Sequence, residues 1–240
     1  MTMITAHSGC GSTAPNSMEY LRHALHTGAD ALEIDIRRGP EGKLVLSHDP
    51  VEKTPDRDRI TNTEPSAGED AGLVTLEKAF RFLADSSMKI NCDLKGYGLE
   101  DDVRKTAQAA GIADDRLIFT GSVTDCMHAR ERLDGICVFI NAEELIPGFY
   151  EPFLKGCPDL RVFRELTERC RQAGMDVLNI NYRVCTEELL GLCRTEQIGL
   201  SVWTVDTPAD MEKMMENGVL NLTTREPEEA LRIRKRMGSV

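Results

Sequence analysis

Short apolar, β-branched runs alternate with amphipathic segments from one end of the chain to the other, and this rhythm restricts the fold more than any other feature. The runs are Met3–His7, Ala31–Ile36, Lys89–Leu94, Arg116–Thr120, Ile136–Ile140, Asp176–Ile180, Gly199–Val205 and Val219–Thr223. Between them lie segments with helical spacing, among them Met18–His26, Leu76–Ala84, Leu99–Ala109, Arg161–Ala173, Glu187–Arg194 and Pro208–Glu216. Eight strands alternating with helices in 240 residues is the arithmetic of an α/β protein, a single (β/α)8 TIM barrel occupying residues 1–240 as one domain. A doubly wound sheet is the competing architecture, because Gly9-Cys10-Gly11-Ser12-Thr13-Ala14 has the spacing of a dinucleotide-binding turn. Pro15 follows it and the helical pattern starts only at Met18, so the stretch reads as a loop and the barrel is preferred. Pro50–Gly72, rich in Asp, Glu, Pro, Thr and Arg, breaks the rhythm. It reads as a short polar excursion above the barrel mouth, following the second strand and an extra strand, Leu44–Ser47.

Parallel barrel strands are expected to be apolar on both faces, one packing the core and the other the helices. Two strands break that rule with period 2. Leu32, Ile34 and Ile36 alternate with Glu33 and Asp35, and Ile90, Cys92 and Leu94 alternate with Asn91, Asp93 and Lys95. Residues i and i+2 point the same way, so Glu33, Asp35, Asp93 and Lys95 are expected to project inward. Buried carboxylates cost several kcal/mol each unless compensated. Two compensations fit: an ion-pair network using Arg37 and Lys95, or a divalent cation, Mg2+ or Ca2+, held by oxygen ligands. His7 and His48 close two strands and are expected at the carboxyl end of the barrel, where a histidine pair can serve as general base and general acid. His23 and His26 fall on the first helical segment and His128 on another, and are read as structural.

The charge balance, 29 Lys+Arg against 40 Asp+Glu for a net −11, argues against a broad nucleic-acid surface. No apolar run approaches the ~20 residues of a membrane helix, and the N-terminal residues have no signal-peptide pattern. The 8 cysteines contain no Cys-x-x-Cys pair, which reads as reduced thiols in a cytoplasmic protein without zinc. The expected partner is a small molecule, with no nucleic acid and no stable membrane insertion. A homo-oligomer is left open.

The stretches Thr5-Ala6-His7-Ser8-Gly9, Ala14-Pro15-Asn16-Ser17, Gly28-Ala29-Asp30, Leu32-Glu33-Ile34-Asp35 and Leu46-Ser47-His48-Asp49-Pro50 resemble, in that order, the motifs of the glycerophosphodiester phosphodiesterase family. Val74-Thr75-Leu76-Glu77, Asn91-Cys92-Asp93-Leu94-Lys95, Val202-Trp203-Thr204-Val205-Asp206 and Gly218-Val219 with Thr224 and Pro227 extend the likeness along the whole chain. The resemblance implies a barrel that hydrolyses glycerophosphodiesters to sn-glycerol 3-phosphate and an alcohol with a divalent cation. It implies Glu33, Asp35 and Asp93 as metal ligands, His7 and His48 as the acid–base pair, and Lys95 as a phosphate contact. Trp203 is expected to wall the substrate pocket, with Asn179 and Asn181 as further polar contacts. The chain departs from the pattern at Ser8, where the family has Arg, and at Asn16, read against the Glu of its Pro-Glu-Asn-Thr motif. Asp93 stands for the commoner Glu, a form also seen in the spider sphingomyelinase D branch, and Arg225 for Asp or Asn. If Ser8 costs the site a phosphate-binding cation, Arg37, Arg38 or Arg225 is available instead, and Arg225, just after the eighth strand, is the best placed by sequence. The rival readings are a phospholipase D-like enzyme on lysophospholipid or sphingolipid, and a catalytically silent homologue that binds a phosphorylated ligand.

Overall fold

The computed structural model describes residues 1–39, 42–51, 73–123, 134–156 and 159–238. Its strands, in chain order, are β1 (Met3–Ala6), β2 (Ala31–Arg38), β3 (Leu44–Leu46), β4 (Lys89–Leu94), β5 (Leu117–Gly121), β6 (Cys137–Val138), β7 (Ile140–Asn141), β8 (Val177–Asn181), β9 (Gly199–Trp203) and β10 (Asn221–Thr224). All pair in parallel except β3, in the order β6-β5-β4-β2-β1-β10-β9-β8-β7. The run expected as one strand at Ile136–Ile140 is broken at Phe139, and each half serves a different neighbour. β6 pairs with β5, β7 pairs with β8, and the Phe139 amide donates to the Phe119 carbonyl at 2.9 Å, which closes the ring. The expected TIM barrel is therefore the observed fold.

The helices are α1 (Met18–Thr27), α2 (Leu76–Leu83), α3 (Glu100–Ala109), α4 (Ala142–Leu145), α5 (Glu151–Leu154), α6 (Arg161–Gln172), α7 (Glu187–Thr195), α8 (Pro208–Glu216) and α9 (Pro227–Met237). Ser17, Thr75, Thr186 and Thr207 each accept a backbone N–H at the start of a helix, satisfying one donor the helix cannot satisfy itself. Gly28 ends α1 at φ 78°, a conformation that costs a residue with a Cβ. The sequence reading omits α9, although Pro227 stands in its first turn with Glu228 and Glu229, and Arg234, Lys235 and Arg236 stand in its last, matching the helix dipole.

Leu32, Ile34 and Ile36 of β2 and Ile90, Cys92 and Leu94 of β4 are fully buried in the layer between sheet and helices. Polar side chains fill part of the barrel interior: Thr5 donates to Asn221 at 2.7 Å, and Asn221 donates to Ser201 at 2.8 Å. α1 is stitched to the barrel by Tyr20. Its fully buried hydroxyl lies 2.9 Å from the Ala6 carbonyl and 2.7 Å from that of Glu33, and accepts from the Glu33 amide at 3.2 Å. Tyr20→Phe removes this link while leaving three buried backbone groups short of a partner. We expect a loss of about 1–3 kcal/mol in urea unfolding. A loss below about 0.5 kcal/mol, the range of ordinary surface substitutions, refutes the linking role.

Candidate active site

The carboxyl ends of the parallel strands surround a cavity of about 740 Å3. His7, Glu33, Asp35, His48, Asp93, Lys95 and Trp203 all line it, so every residue singled out by sequence converges on one place. A smaller, largely apolar cavity at the other end of the barrel is lined by Thr2, Cys193, Leu220 and neighbours.

β2 carries Glu33 and Asp35, and β4 carries Asp93 in register with Asp35. One oxygen from each of the three carboxylates lies within 4.8 Å of the others. Donors answer most of the remaining oxygens. The Ser8 amide donates to Glu33 at 2.9 Å, the Asn16 side-chain amide donates to Asp35 at 2.7 Å, and Lys95 Nζ reaches Asp35 at 2.9 Å and Asp93 at 2.6 Å. Burial pushes Glu33 well above the usual carboxylate range, and Asp35 and Asp93 push it further. Burial also raises Asp93, despite the opposing charge of Lys95. Burial works against the charge on Lys95, but Asp93 and Asp35 outweigh it and hold the ammonium protonated. Asp93 Oδ1 is buried and has no hydrogen-bond partner. One ammonium against three carboxylates leaves two charges uncompensated when all are ionised, and all the free atoms are hard oxygen donors. That set fits a divalent cation of the Mg2+ or Ca2+ type. Gly121, at the end of β5 with φ 80°, makes the close approach possible: a Cβ there would lie 2.3 Å from Asp93 Oδ1 and 2.3 Å from the Leu94 carbonyl oxygen.

His7 follows β1 directly. Its Nδ1 is 2.8 Å from the Ser8 carbonyl, which can only accept, so Nδ1 carries the proton and Nε2 is left as the acceptor. Burial lowers its pKa, and Arg225 adds to that effect. His48 reaches the mouth by a route the sequence reading did not anticipate. β2 runs on past the barrel rim, and β3 returns antiparallel to it, Ile36 opposite Leu46, bringing His48 back to the level of the carboxylates. His48 Nδ1 is 2.9 Å from Asp49 Oδ1, which holds the proton on that nitrogen.

The arginines sort differently from the expectation. Arg37 joins no carboxylate network: its Nε donates to the His48 carbonyl at 2.8 Å and its Nη1 to the Lys95 carbonyl at 2.9 Å. Arg225 lines the cavity but pairs with Asp206 at 2.7 Å, and Arg38 pairs with Asp102 at 2.7 Å. Ser8 is buried, and its hydroxyl accepts from the Asn16 amide at 2.8 Å. Asn16 also accepts from the Asp35 amide at 3.0 Å, so this departure from the family pattern grips both ends of a metal-site residue. Asn179 lines the cavity and donates to Asn141 at 2.8 Å, whereas Asn181 caps the turn after β8. Trp203 packs edge-on against Tyr150, ring centroids 6.2 Å apart, with its indole N–H buried and unpartnered. Glu143 and Glu144 also line the cavity and were not read as site residues, because α4 has no amphipathic length to announce it. His23 packs under Gly11 in the loop after His7, and His26 bonds its own helix. His128, Cys126, Cys157 and residues 52–72 of the excursion lie outside the described residues.

Comparison with known proteins agrees with the motif order. Residues 7–110 match the model of the glycerophosphoryl diester phosphodiesterase family. A glycerophosphodiester phosphodiesterase of Caldanaerobacter subterraneus subsp. tengcongensis is 24% identical, the alignment covering 99% of each chain. One of Bacillus altitudinis is 25% identical over 99% of this chain and 100% of its own. Among solved structures, the glycerophosphodiester phosphodiesterase of Parabacteroides distasonis superimposes with a TM-score of 0.72 over 98% of each chain at 21% identity. A phosphodiesterase of Oleispira antarctica, in complex with the product sn-glycerol-3-phosphate, gives 0.70 over 98% of this chain and 97% of that one at 18% identity. The resemblance stated from sequence is thus borne out in both sequence and fold.

Gly121→Ala tests the packing around Asp93. The added methyl meets a carboxylate and a backbone carbonyl at a positive φ, so we expect a stability loss of about 1–3 kcal/mol and weaker divalent-metal binding by calorimetry. Unchanged metal affinity, with the fold retained, would remove Asp93 from the site.

Proposed function

We propose that this chain is a metal-dependent glycerophosphodiester phosphodiesterase, a phosphoric diester hydrolase that releases sn-glycerol 3-phosphate and an alcohol. The observation that carries the reading is the convergence of three carboxylates, a lysine and two strand-end histidines on one cavity, from motifs that stand in the family's order. Glu33, Asp35 and Asp93 would hold the divalent cation, Mg2+ or Ca2+, which when bound supplies positive charge to a non-bridging phosphate oxygen.

The chain's own groups account for the proton movements. His7 offers an unprotonated Nε2, and its lowered pKa keeps that nitrogen free near neutrality, which suits the general base that takes a proton from the attacking hydroxyl. His48, with Nδ1–H fixed on Asp49, is assigned the opposite task of giving a proton to the leaving alkoxide. Lys95 stays charged beside Asp35 and Asp93 and presents that charge to the phosphate. Trp203 walls the pocket with ring surface, since its N–H is turned out of reach of solvent. Free, buried thiols at Cys10, Cys92, Cys185 and Cys193 support a reducing, cytoplasmic setting. No helix among the described residues is long and apolar enough to cross a membrane.

Turnover of glycerophosphocholine that EDTA abolishes and added Mg2+ or Ca2+ restores is the expected result. Metal binding without turnover of any phosphodiester would instead make the chain a silent homologue. His7→Ala and His48→Ala should each lower kcat by about 10²–10⁴, the usual contribution of a positioned acid or base. His26→Ala, on the outside of α1, should keep full activity; equal losses in all three deny the strand-end pair its role.

The acid limb of kcat/KM follows from the sign of the His7 shift. Protonation removes the base, and the pKa is lowered, so the rate should fall only as pH drops through a value below 6.5. An acid limb above that value in the wild type, unchanged in a sluggish His7 variant, excludes His7 as the base.

A further inference from the structure

Each cation at the mouth has an identifiable counterpart except one. Lys95 is answered by Asp35 and Asp93, Arg225 by Asp206, and His48 by Asp49. Arg37 lines the same cavity and is half-buried, yet among the described residues it meets only carbonyl oxygens. Those two bonds use Nε and Nη1 and fix the plane of the guanidinium between the backbone of His48 and that of Lys95. Nη2 has no protein acceptor among the described residues. A guanidinium immobilised by neutral groups, with a free edge in a cavity, carries a whole positive charge that only an anion from outside the chain can satisfy. The buried Ser8 leaves the other side of the mouth without such a group, because its backbone and hydroxyl are spent on Glu33 and Asn16.

We infer that Arg37 is the guanidinium that binds the substrate's phosphate, donating from Nη2 to a non-bridging oxygen while Nε and Nη1 keep hold of the backbone on either side. The inference extends the phosphodiesterase reading but does not require turnover, because it concerns recognition of a phosphate group. It also replaces Arg225, the best candidate by sequence, whose charge Asp206 already answers at 2.7 Å.

The test is calorimetric titration of the full chain with sn-glycerol 3-phosphate, and with inorganic phosphate, at saturating Mg2+. Arg37→Gln should weaken both by about 10–100-fold, the range for losing a charge-assisted contact. Arg37→Lys, which keeps the charge but not the planar fork, should recover part of that loss. Arg225→Gln should change affinity by less than about threefold, as expected of a group outside the contact.

Arg37 could act only by holding Lys95 and His48 in place, and a double variant separates the two cases. In a Lys95→Met background, a direct contact still costs about 10-fold or more when Arg37→Gln is added. An indirect one costs nothing further, and that result overturns the inference. So does an Arg37→Gln variant that loses kcat while its affinity for glycerol 3-phosphate stays at the wild-type value. A wild type that binds phosphate through Arg37 but cleaves no diester upholds the inference and removes the enzymatic reading. A wild type that turns over diesters with Arg37→Gln binding unaffected does the reverse, and a wild type that binds neither probe overturns both.

Discussion

Three carboxylates drawn together at the ends of two neighbouring strands set the terms for everything around the mouth. Like charges at this separation in a poorly solvated interior repel strongly, and the chain answers with donors from three directions. The Ser8 amide comes from the loop after β1, the Asn16 side chain from the approach to α1, and Lys95 from the end of β4. Each also fixes backbone. Asn16 bonds the Asp35 amide as well as its carboxylate, and Tyr20, four residues on, bonds both backbone groups of Glu33. The parallel register that sets Asp35 beside Asp93 also sets Ile34 beside Cys92 and Ile36 beside Leu94 on the opposite face. A one-residue slip would bury the acids among the helices and turn the apolar side chains into the mouth. Fold and charge cluster are therefore specified by the same pairing.

That coupling explains what could be read from sequence. A period-2 alternation of acids with Ile, Leu and Cys has only one burial pattern that satisfies both faces, so Glu33, Asp35, Asp93 and Lys95 were legible as inward residues. His7 was legible because it closes a strand. The alternation does not say which strand lies beside which, and the errors fall there. The split of residues 137–141 between two neighbours depends on how the ring closes at Phe139, a long-range fact. β3 reaches the mouth as an antiparallel return, so His48 arrives where expected for a reason the strand pattern does not contain. Arginine partners were the least legible of all. Arg225 owes its neutralisation to Asp206, nineteen residues earlier and on the adjacent strand's loop, while Arg37 owes its lack of a carboxylate to carbonyls at His48 and Lys95. Nothing local distinguishes the two.

The mouth is divided in charge. The arc from β10 through β1 and β2 to β4 contributes Arg225, His7, Arg37, His48 and Lys95, whereas the arc from β7 to β9 contributes Asn141, Glu143, Glu144, Asn179 and Trp203. A diester phosphate entering this cavity is drawn to the first wall and repelled by the carboxylates of the second, so the field orients it before any contact forms. The rest of the surface does not help, because a chain of net charge −11 repels anions at long range. Screening at physiological salt confines the attraction of the basic arc to about 8 Å. Capture thus depends on short-range contacts inside the mouth, where desolvation makes each fixed donor count for more than it would at the surface. This is the setting in which a guanidinium held rigid by two carbonyls, rather than a mobile surface lysine, is the effective group: its orientation is settled before the anion arrives, and little freedom is lost on binding.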